Sequence, residues 1–302
     1  MMSKVFVFTQ YGGPEFQEIV EREIPQPGVG ELLVEVKAAG VNPFDWKLRS
    51  GLLGTNLPLP AGLGSEVSGL VAAIGEGVEG FGVGDAVLAV VPAGNGGIAE
   101  HVVVKAADAV AKPDNLSFTV AAAIPVAATT AYDVTHTIEL DPGQTALVLG
   151  AGGGVGLMAA QIGRVHRFTV IGVASEAKRE LVESTGARFV ASGPGFADCV
   201  RELAPDGVDL VIDLVGGDAL RAAAPLAMSP DRVISVADPS VVELGGATRT
   251  LNPEALEKIT AVISYGLVDP HVTATYPLER AAEALAQVEA GHATGKTVIE
   301  VA

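Results

Sequence analysis

The stretch GQTALVLGAGGGVGLMAAQIGR, residues 143–164, decides the fold. Ala146 to Gly150 is apolar on both faces, the pattern of a buried parallel strand, and Leu157, Ala160, Gln161 and Arg164 carry a helical period after it. Between them lies Ala151-Gly152-Gly153-Gly154-Val155-Gly156. Set against GxGxxG, Ala151 holds the first glycine place. Gly153 holds the second, where backbone must approach a pyrophosphate, and Gly156 the third, where helix packs on strand. Backbone N–H groups and the positive end of the helix dipole would then face the phosphates of a nucleotide.

Such glycines would also serve a plain tight turn, so the flanking pattern has to decide. Further apolar strands are predicted at Thr169 to Val173, Arg188 to Ala191, Val208 to Asp213 and Arg232 to Val236. Helical patterns separate them at Glu176 to Ser184, Ala197 to Leu203 and Asp218 to Leu226. That alternation is βαβ winding, which requires a parallel sheet with right-handed crossovers.

The 302 residues suggest about two domains, and 49% hydrophobic with 18% charged residues fits a folded α/β protein. A net charge of −17 argues against nucleic acid or an anionic membrane as partner, because either would need a basic face. No apolar run reaches the length of a membrane helix, and Met1 to Phe8 lacks the make-up of a secretory leader, so the sequence reads as cytoplasmic. The single cysteine, Cys199, cannot form an internal disulfide and is expected as a buried small hydrophobe in an amphipathic helix. The five histidines, at 101, 136, 166, 271 and 292, show no metal-ligand spacing and read as surface or packed residues.

The N-terminal part has a different grammar. Val5 to Phe8, Glu31 to Ala38, Val67 to Ile74, Asp85 to Val91 and Ile98 to Val104 are short runs broken by Gly and Pro turns, which predicts a β-rich, barrel-like domain. Pro113-Asp114-Asn115 marks a joint. After the winding, a run Pro270 to Tyr276, a helix Leu278 to Ala290 and a closing strand Thr297 to Val301 look like a return to the first domain. The expected division is 1–119 completed by 267–302, and 120–266 for the nucleotide-binding unit.

Five stretches together resemble the medium-chain dehydrogenase/reductase superfamily, in its zinc-free quinone oxidoreductase branch. They are Gly40-Val41-Asn42-Pro43-Phe44-Asp45; Gly62-Leu63-Gly64-Ser65-Glu66 with Gly69 and Val83-Gly84-Asp85; Ala127-Ala128-Thr129-Thr130-Ala131-Tyr132; residues 143–164; and Gly207-Val208-Asp209 through Asp213-Leu214-Val215-Gly216-Gly217. Gly295-Lys296-Thr297-Val298 is similar to the family's final strand. The resemblance implies a GroES-like domain plus a Rossmann domain. It places Asn42 near the nicotinamide ribose and substrate, Thr129 beside the nicotinamide ring, and Asp45 as the residue that orients the Asn42 loop. It adds Leu214, Val215, Val236 and Ala237, at the ends of the central strands, to the cofactor contacts. An Asn before Pro43 could also simply start a turn.

Zinc-dependent relatives place a cysteine, a histidine and a second cysteine in three of these stretches. Here Asn42 and Ser65 stand at the first two places, no cysteine lies near Thr129, and the cysteine-rich lobe is absent. No metal is therefore expected. Many relatives carry a tyrosine after an Arg-x-Gly-x pattern, where this chain has Leu53 after Arg49-Ser50-Gly51-Leu52. Leu53 makes the expected substrate pocket more apolar, and Tyr132 is the nearest remaining phenol by resemblance.

An NAD-binding unit usually ends its second strand with Asp or Glu about 20 residues past the glycines. Here Ser175 stands there, with Lys178 and Arg179 following, a pattern similar to the family's NADPH-selecting Ser-x-x-Lys. The two cations could instead be solvated helix charges, and Glu176 adds an adverse charge. Without a metal the protein contributes proximity and hydrogen bonds, which suits quinones and other conjugated carbonyls. The sequence thus predicts an NADPH-dependent reductase of such compounds, acting as a homodimer through the edge near Ala247 to Leu251. An enoyl-thioester or alkenal reductase, or a nucleotide-binding redox sensor or structural protein, are the alternatives.

Overall fold

The computed structural model describes residues 1–291 and 293–302, so His292 falls outside the described residues. The chain forms two compact units, Met1–Ala127 with Val272–Ala302, and Ala128–His271.

The second unit is built on a parallel sheet of six strands: β1 (Thr145–Leu149), β2 (Thr169–Ala174), β3 (Arg188–Ala191), β4 (Leu210–Asp213), β5 (Val233–Ser235) and β6 (Ala247–Thr248). Their order is β3-β2-β1-β4-β5-β6, the doubly wound arrangement in which ligands bind beyond the carboxyl ends of the strands. Alternation explains why β1 had to be apolar throughout. Leu147 and Leu149 pack with Ile171, Val173 and Val211 on one face, while Ala146 and Val148 pack with Val170, Leu210 and Ile212 on the other.

Three expectations are corrected here. The fourth strand begins at Leu210 rather than Val208, because the Asp209 carboxylate turns back to accept from Gln144 Nε2 and the Thr145 N–H, both at 2.8 Å. The edge strand stops at Thr248 instead of running to Leu251, since Arg249 leaves the sheet to pair with Asp133 at 2.7 Å. Cys199 is exposed: its helix, Phe196–Leu203, buries only Phe196 and Val200, and one 100° step from Val200 carries the thiol off that narrow stripe.

The first unit has a seven-stranded and a three-stranded sheet around one core that includes Phe6, Phe8, Leu32, Val34, Leu63 and Ile98. Isolated bridges Val5 to Ala99 and Gly62 to Asn95 knit the barrel-like structure together. The C-terminal strand Lys296–Glu300 lies between Val272–Pro277 and Glu31–Val41, with Thr297 opposite Val41. A short 3-10 turn, Leu278–Arg280, precedes the helix Ala281–Glu289.

The divisions fall at 127/128 and 271/272, later than the expected 119/120 and 266/267. Contacts explain both shifts. The helix Phe118–Ala121 packs on the strands Glu31–Val41 and Glu66–Ile74, and the Val126 N–H donates to Glu66 Oε2 at 2.7 Å, which holds this segment to the first unit. Gln161 grips Asp269 on both sides of its peptide, donating to its carbonyl at 2.9 Å and accepting from its N–H at 2.8 Å, so residues up to 271 stay with the second. Among the described residues, no helix is long and apolar enough to cross a membrane.

Candidate active site

The glycine turn after β1 sorts its residues by what a side chain would meet. A Cβ on Gly156 would lie 2.3 Å from the Gly150 carbonyl oxygen and 2.7 Å from Ala151 Cα, so the helix Gly154–Val165 can rest on the strand only without one. A Cβ on Gly153 would meet nothing nearer than 3.5 Å, in an extended conformation (φ −92°) open to any residue. The fold itself does not demand glycine there. The turn is open on that side, and as N-cap Gly153 leaves the helix without a side-chain cap, so the first-turn N–H groups of Gly154, Val155 and Gly156 can meet an anion. Ala151 departs from the glycine pattern without strain: its methyl is fully buried in the core, and the left-handed residue is Gly150, one place earlier (φ 80°).

Lys178 lies over this turn. A Cβ on Gly152 would come 2.5 Å from Lys178 Cδ, and the Lys178 N–H donates to the Ser175 carbonyl at 2.9 Å, which brings both residues to the carboxyl end of β2. Partial burial pushes the Lys178 ammonium below its ordinary value. Arg179 is engaged elsewhere. Its guanidinium pairs with Glu176 at 2.6 Å and Glu183 at 3.4 Å and stands 4.2 Å over the Phe189 ring. That pairing also holds the Glu176 carboxyl below its usual range and answers the adverse charge the sequence suggested. Arg188 opens β3, opposite Ile171, whereas Ala174 and Ala191 mark the carboxyl ends, so Arg188 stands at the wrong end of the sheet for a nucleotide.

The loops after β4 and β5 are fixed by one buried carboxylate. Asp213 Oδ1 accepts from the N–H groups of Val215 at 3.0 Å and Gly216 at 2.9 Å, and its Oδ2 from Ser235 Oγ at 2.6 Å. Ser235 Oγ in turn accepts from the Ala237 and Asp238 N–H groups. Leu214 and Val215 are thereby held against Gly150, and Val215 and Val236 are left exposed past the strand ends. Thr129 and Thr130 begin the helix Thr129–His136 and accept from Arg249 at 3.2 and 2.7 Å. In the same helix Tyr132 stacks on His136 with ring centroids 3.9 Å apart, and His136 meets His166 edge-on at 4.9 Å, a pairing the scattered sequence positions concealed.

In the first unit, Asn42 caps the helix Pro43–Ser50 and Asp45 closes that turn, accepting from the Asn42 N–H at 2.8 Å and from the Gly64 N–H at 3.1 Å. Burial is the main cause that pushes the Asp45 carboxyl up, to about 7; Glu66 also raises it, while the two N–H bonds and Lys296 pull it down. Asn42 Nδ2 donates to Glu66 Oε1 at 2.8 Å and Ser65 Oγ at 3.3 Å, and its Oδ1 accepts from Lys296 Nζ at 2.6 Å. Lys296 Nζ also donates to Glu66 Oε1 at 2.7 Å and the Val41 carbonyl at 3.3 Å. Glu66 is fully buried and Lys296 nearly so, and the Glu66 carboxylate presses so close on Gly40 that a Cβ there would be 2.1 Å away. Leu53 is exposed in the turn beyond this helix, and Arg49 is a buried tie to Gly12, Gln17 and Glu289.

Lys296, Glu66, Arg249 and the Asp213–Ser235 pair were given no role by the sequence reading. One signal was present: a glutamate and a lysine at the first positions of two mainly buried strands, each needing an opposite charge. Among the described residues, no three His, Cys, Asp or Glu side chains gather as a metal-ligating set.

A doubly wound sheet with this glycine turn, joined to a β-unit with a buried polar centre, defines a two-domain nicotinamide-nucleotide oxidoreductase. Residues 28–114 match the family model described as alcohol dehydrogenase GroES-like domain, and residues 185–299 that described as zinc-binding dehydrogenase. The chain is 32% identical to the NADPH-dependent alkenal/one oxidoreductase of Arabidopsis thaliana, over 98% of this chain and 79% of that protein. It is 30% identical to the quinone oxidoreductase of Rattus norvegicus, over 98% and 96%. The solved structure of the Coxiella burnetii quinone oxidoreductase superposes with a TM-score of 0.90 at 28% identity, covering all of both chains. The chain belongs to the medium-chain dehydrogenase/reductase superfamily and is a quinone oxidoreductase-like member of it.

Proposed function

We propose that the protein is an NADPH-dependent, zinc-independent reductase of quinones or other conjugated carbonyls. That it is an oxidoreductase of quinone or conjugated-carbonyl type follows from its relatives, named quinone oxidoreductase and alkenal/one oxidoreductase. The observation that supports the nucleotide assignment is the open turn at Gly153, which offers a pyrophosphate backbone N–H groups, with Lys178 beside it and Ser175 at the carboxyl end of β2, residues that would receive a 2′-phosphate. The bound nicotinamide would supply the hydride. Gly152, Gly153, Gly154, Val155 and Gly156 would receive the diphosphate, and Leu214, Val215, Val236 and Ala237, held by Asp213 and Ser235, would line its nicotinamide end.

Zinc independence rests on charge. An ammonium, Lys296 Nζ, already stands 2.6 Å from Asn42 Oδ1 and 2.7 Å from Glu66, beside Ser65, so a divalent cation placed among these residues would meet a fixed positive charge. In this reading Asn42 and Asp45 are polar and Leu53 apolar substrate-side residues of the first unit; in the second unit Arg249 fixes Thr129 as the residue for the nicotinamide ring, and Tyr132 adds apolar surface. A homodimer belongs to the same reading, because β6 is a two-residue edge with Val242 and Leu251 exposed beside it. A cytoplasmic location is carried over from the sequence.

The test is oxidation of NADPH, with NADH as control, across quinones, enones, alkenals and enoyl thioesters. Turnover of quinones or enones supports the reading. A preference for enoyl thioesters would assign the alternative reductase class, and tight NADPH binding without consumption of any acceptor would indicate a nucleotide-binding sensor.

A further inference from the structure

The buried polar centre of the first unit leaves the hydroxyl hydrogen of Ser65 uncommitted, and its position deepens the reading above. Lys296 and Glu66 fix which way the Asn42 amide points. A flipped amide would put its NH2 against an ammonium and its oxygen against a carboxylate, so Oδ1 must face Lys296 and Nδ2 must face Glu66. Both Nδ2 hydrogens are then engaged, by Glu66 and by Ser65 Oγ. All three Lys296 ammonium hydrogens are engaged as well, by Val41, Asn42 and Glu66. Glu66 accepts on both oxygens, and so does Asp45.

Ser65 differs. Its Oγ accepts from Asn42, and its hydroxyl hydrogen has no acceptor among the described residues. Ser65 is buried, with 6% of the residue exposed, a setting dry enough for a hydrogen bond to count. A hydroxyl whose oxygen already accepts a hydrogen bond is a stronger donor through its own hydrogen, and here the chain begins at a cation. Asn42 cannot play this part itself, because it has no N–H left to give.

We propose that Ser65 is a catalytic residue, the hydrogen-bond donor to the substrate's carbonyl oxygen, and that Lys296, Glu66 and Asn42 are the positioning residues that aim and strengthen it. When hydride reaches the conjugated carbon, electron density moves onto that oxygen. A donor already in place stabilises the resulting enolate or hydroquinone anion more than the neutral carbonyl. The proposal rests on the conjugated-carbonyl reading of the function, and it names the donor that the absence of a Lewis acid in that reading requires.

The experiment uses the full chain with oxidised NADP and 4-dimethylaminocinnamaldehyde, a push–pull enal whose absorption moves to the red when its oxygen accepts a hydrogen bond. The wild-type complex should show the red shift without turnover, and Ser65→Ala should abolish it. Ser65→Ala should also lower kcat for enones about a hundredfold, as loss of an oxyanion donor does, with the NADPH Kd held and Tm lowered by the lost partner of Asn42 Nδ2. Ser65→Thr should restore both signals. If Ser65→Ala folds poorly, Ser65→Cys, similar in size but a weak donor, should give a reduced shift. A Ser65→Ala protein with wild-type spectrum and turnover, or a wild-type complex with no shift, overturns the proposal. Failure of the wild type to oxidise NADPH with any acceptor would instead overturn the functional reading, and the chromophore, which needs no turnover, keeps the two failures apart.

Discussion

Replacing Gly153 and Gly156 separately by alanine should divide ligand recognition from folding at the nucleotide turn. In Gly156→Ala the new methyl would sit 2.3 Å from the Gly150 carbonyl oxygen, and the obstructing atoms are backbone. Ordinary contact requires the helix Gly154–Val165 to retreat by about an ångström, an overpacking cost near the upper end of ~1–3 kcal/mol. The better helix propensity of alanine offsets about 1 kcal/mol. A net loss of about 2 kcal/mol should lower Tm by several degrees. In Gly153→Ala the nearest atom is 3.5 Å away and the backbone is extended, so stability should hold within about 0.5 kcal/mol. The same methyl stands where the pyrophosphate must approach, and NADPH should bind at least about tenfold more weakly, or 1.4 kcal/mol. Calorimetric titration with NADPH and thermal unfolding of both variants give the two readouts. Wild-type NADPH affinity in Gly153→Ala would refute the assignment of this turn, whatever Gly156→Ala does.

Three further outcomes follow from the sites. NADPH should bind at least about tenfold more tightly than NADH, and Lys178→Glu should narrow or reverse that preference in titrations with both nucleotides; equal binding by the wild type would make Lys178 a surface charge only. Elemental analysis of the purified protein should find no stoichiometric zinc, and chelators should leave turnover unchanged; one zinc per chain would refute the role given to the Lys296 ammonium. The carboxyl of Asp45, raised from 3.8 to about 7 chiefly by burial, holds its proton in the folded chain at pH values where the unfolded chain has released it. Its contribution to stability therefore falls as pH rises from 3.8 to about 7 and is level above that, so Asp45→Asn should lose less Tm than the wild type between pH 5 and 8; parallel Tm profiles would count against the raised value.

The nucleotide-binding unit was legible in the sequence because its signals are local. The period-two burial of Leu147 and Val148 on opposite faces, and the spacing of Gly153 and Gly156, lie within one strand, turn and helix, where chain geometry alone fixes what faces what. The parallel sense of the sheet then followed from the βαβ alternation, whereas the strand order was given by the structure. Placement of Cys199 failed for the opposite reason: an eight-residue helix buries too narrow a stripe for its period to say which flanking residue is covered. The end of β6 was likewise set by a distant partner, since Arg249 reaches Thr129 across 120 positions of sequence. The polar centre of the first unit depended most on tertiary structure. Sequence placed Asn42 and Ser65 through resemblance, but the direction of the Asn42 amide is set by Glu66, 24 positions away, and by Lys296, 254 positions away on the closing strand. A hydrogen bond's donor and acceptor roles depend on which charges surround it, and those charges meet only when the chain's end returns to its beginning.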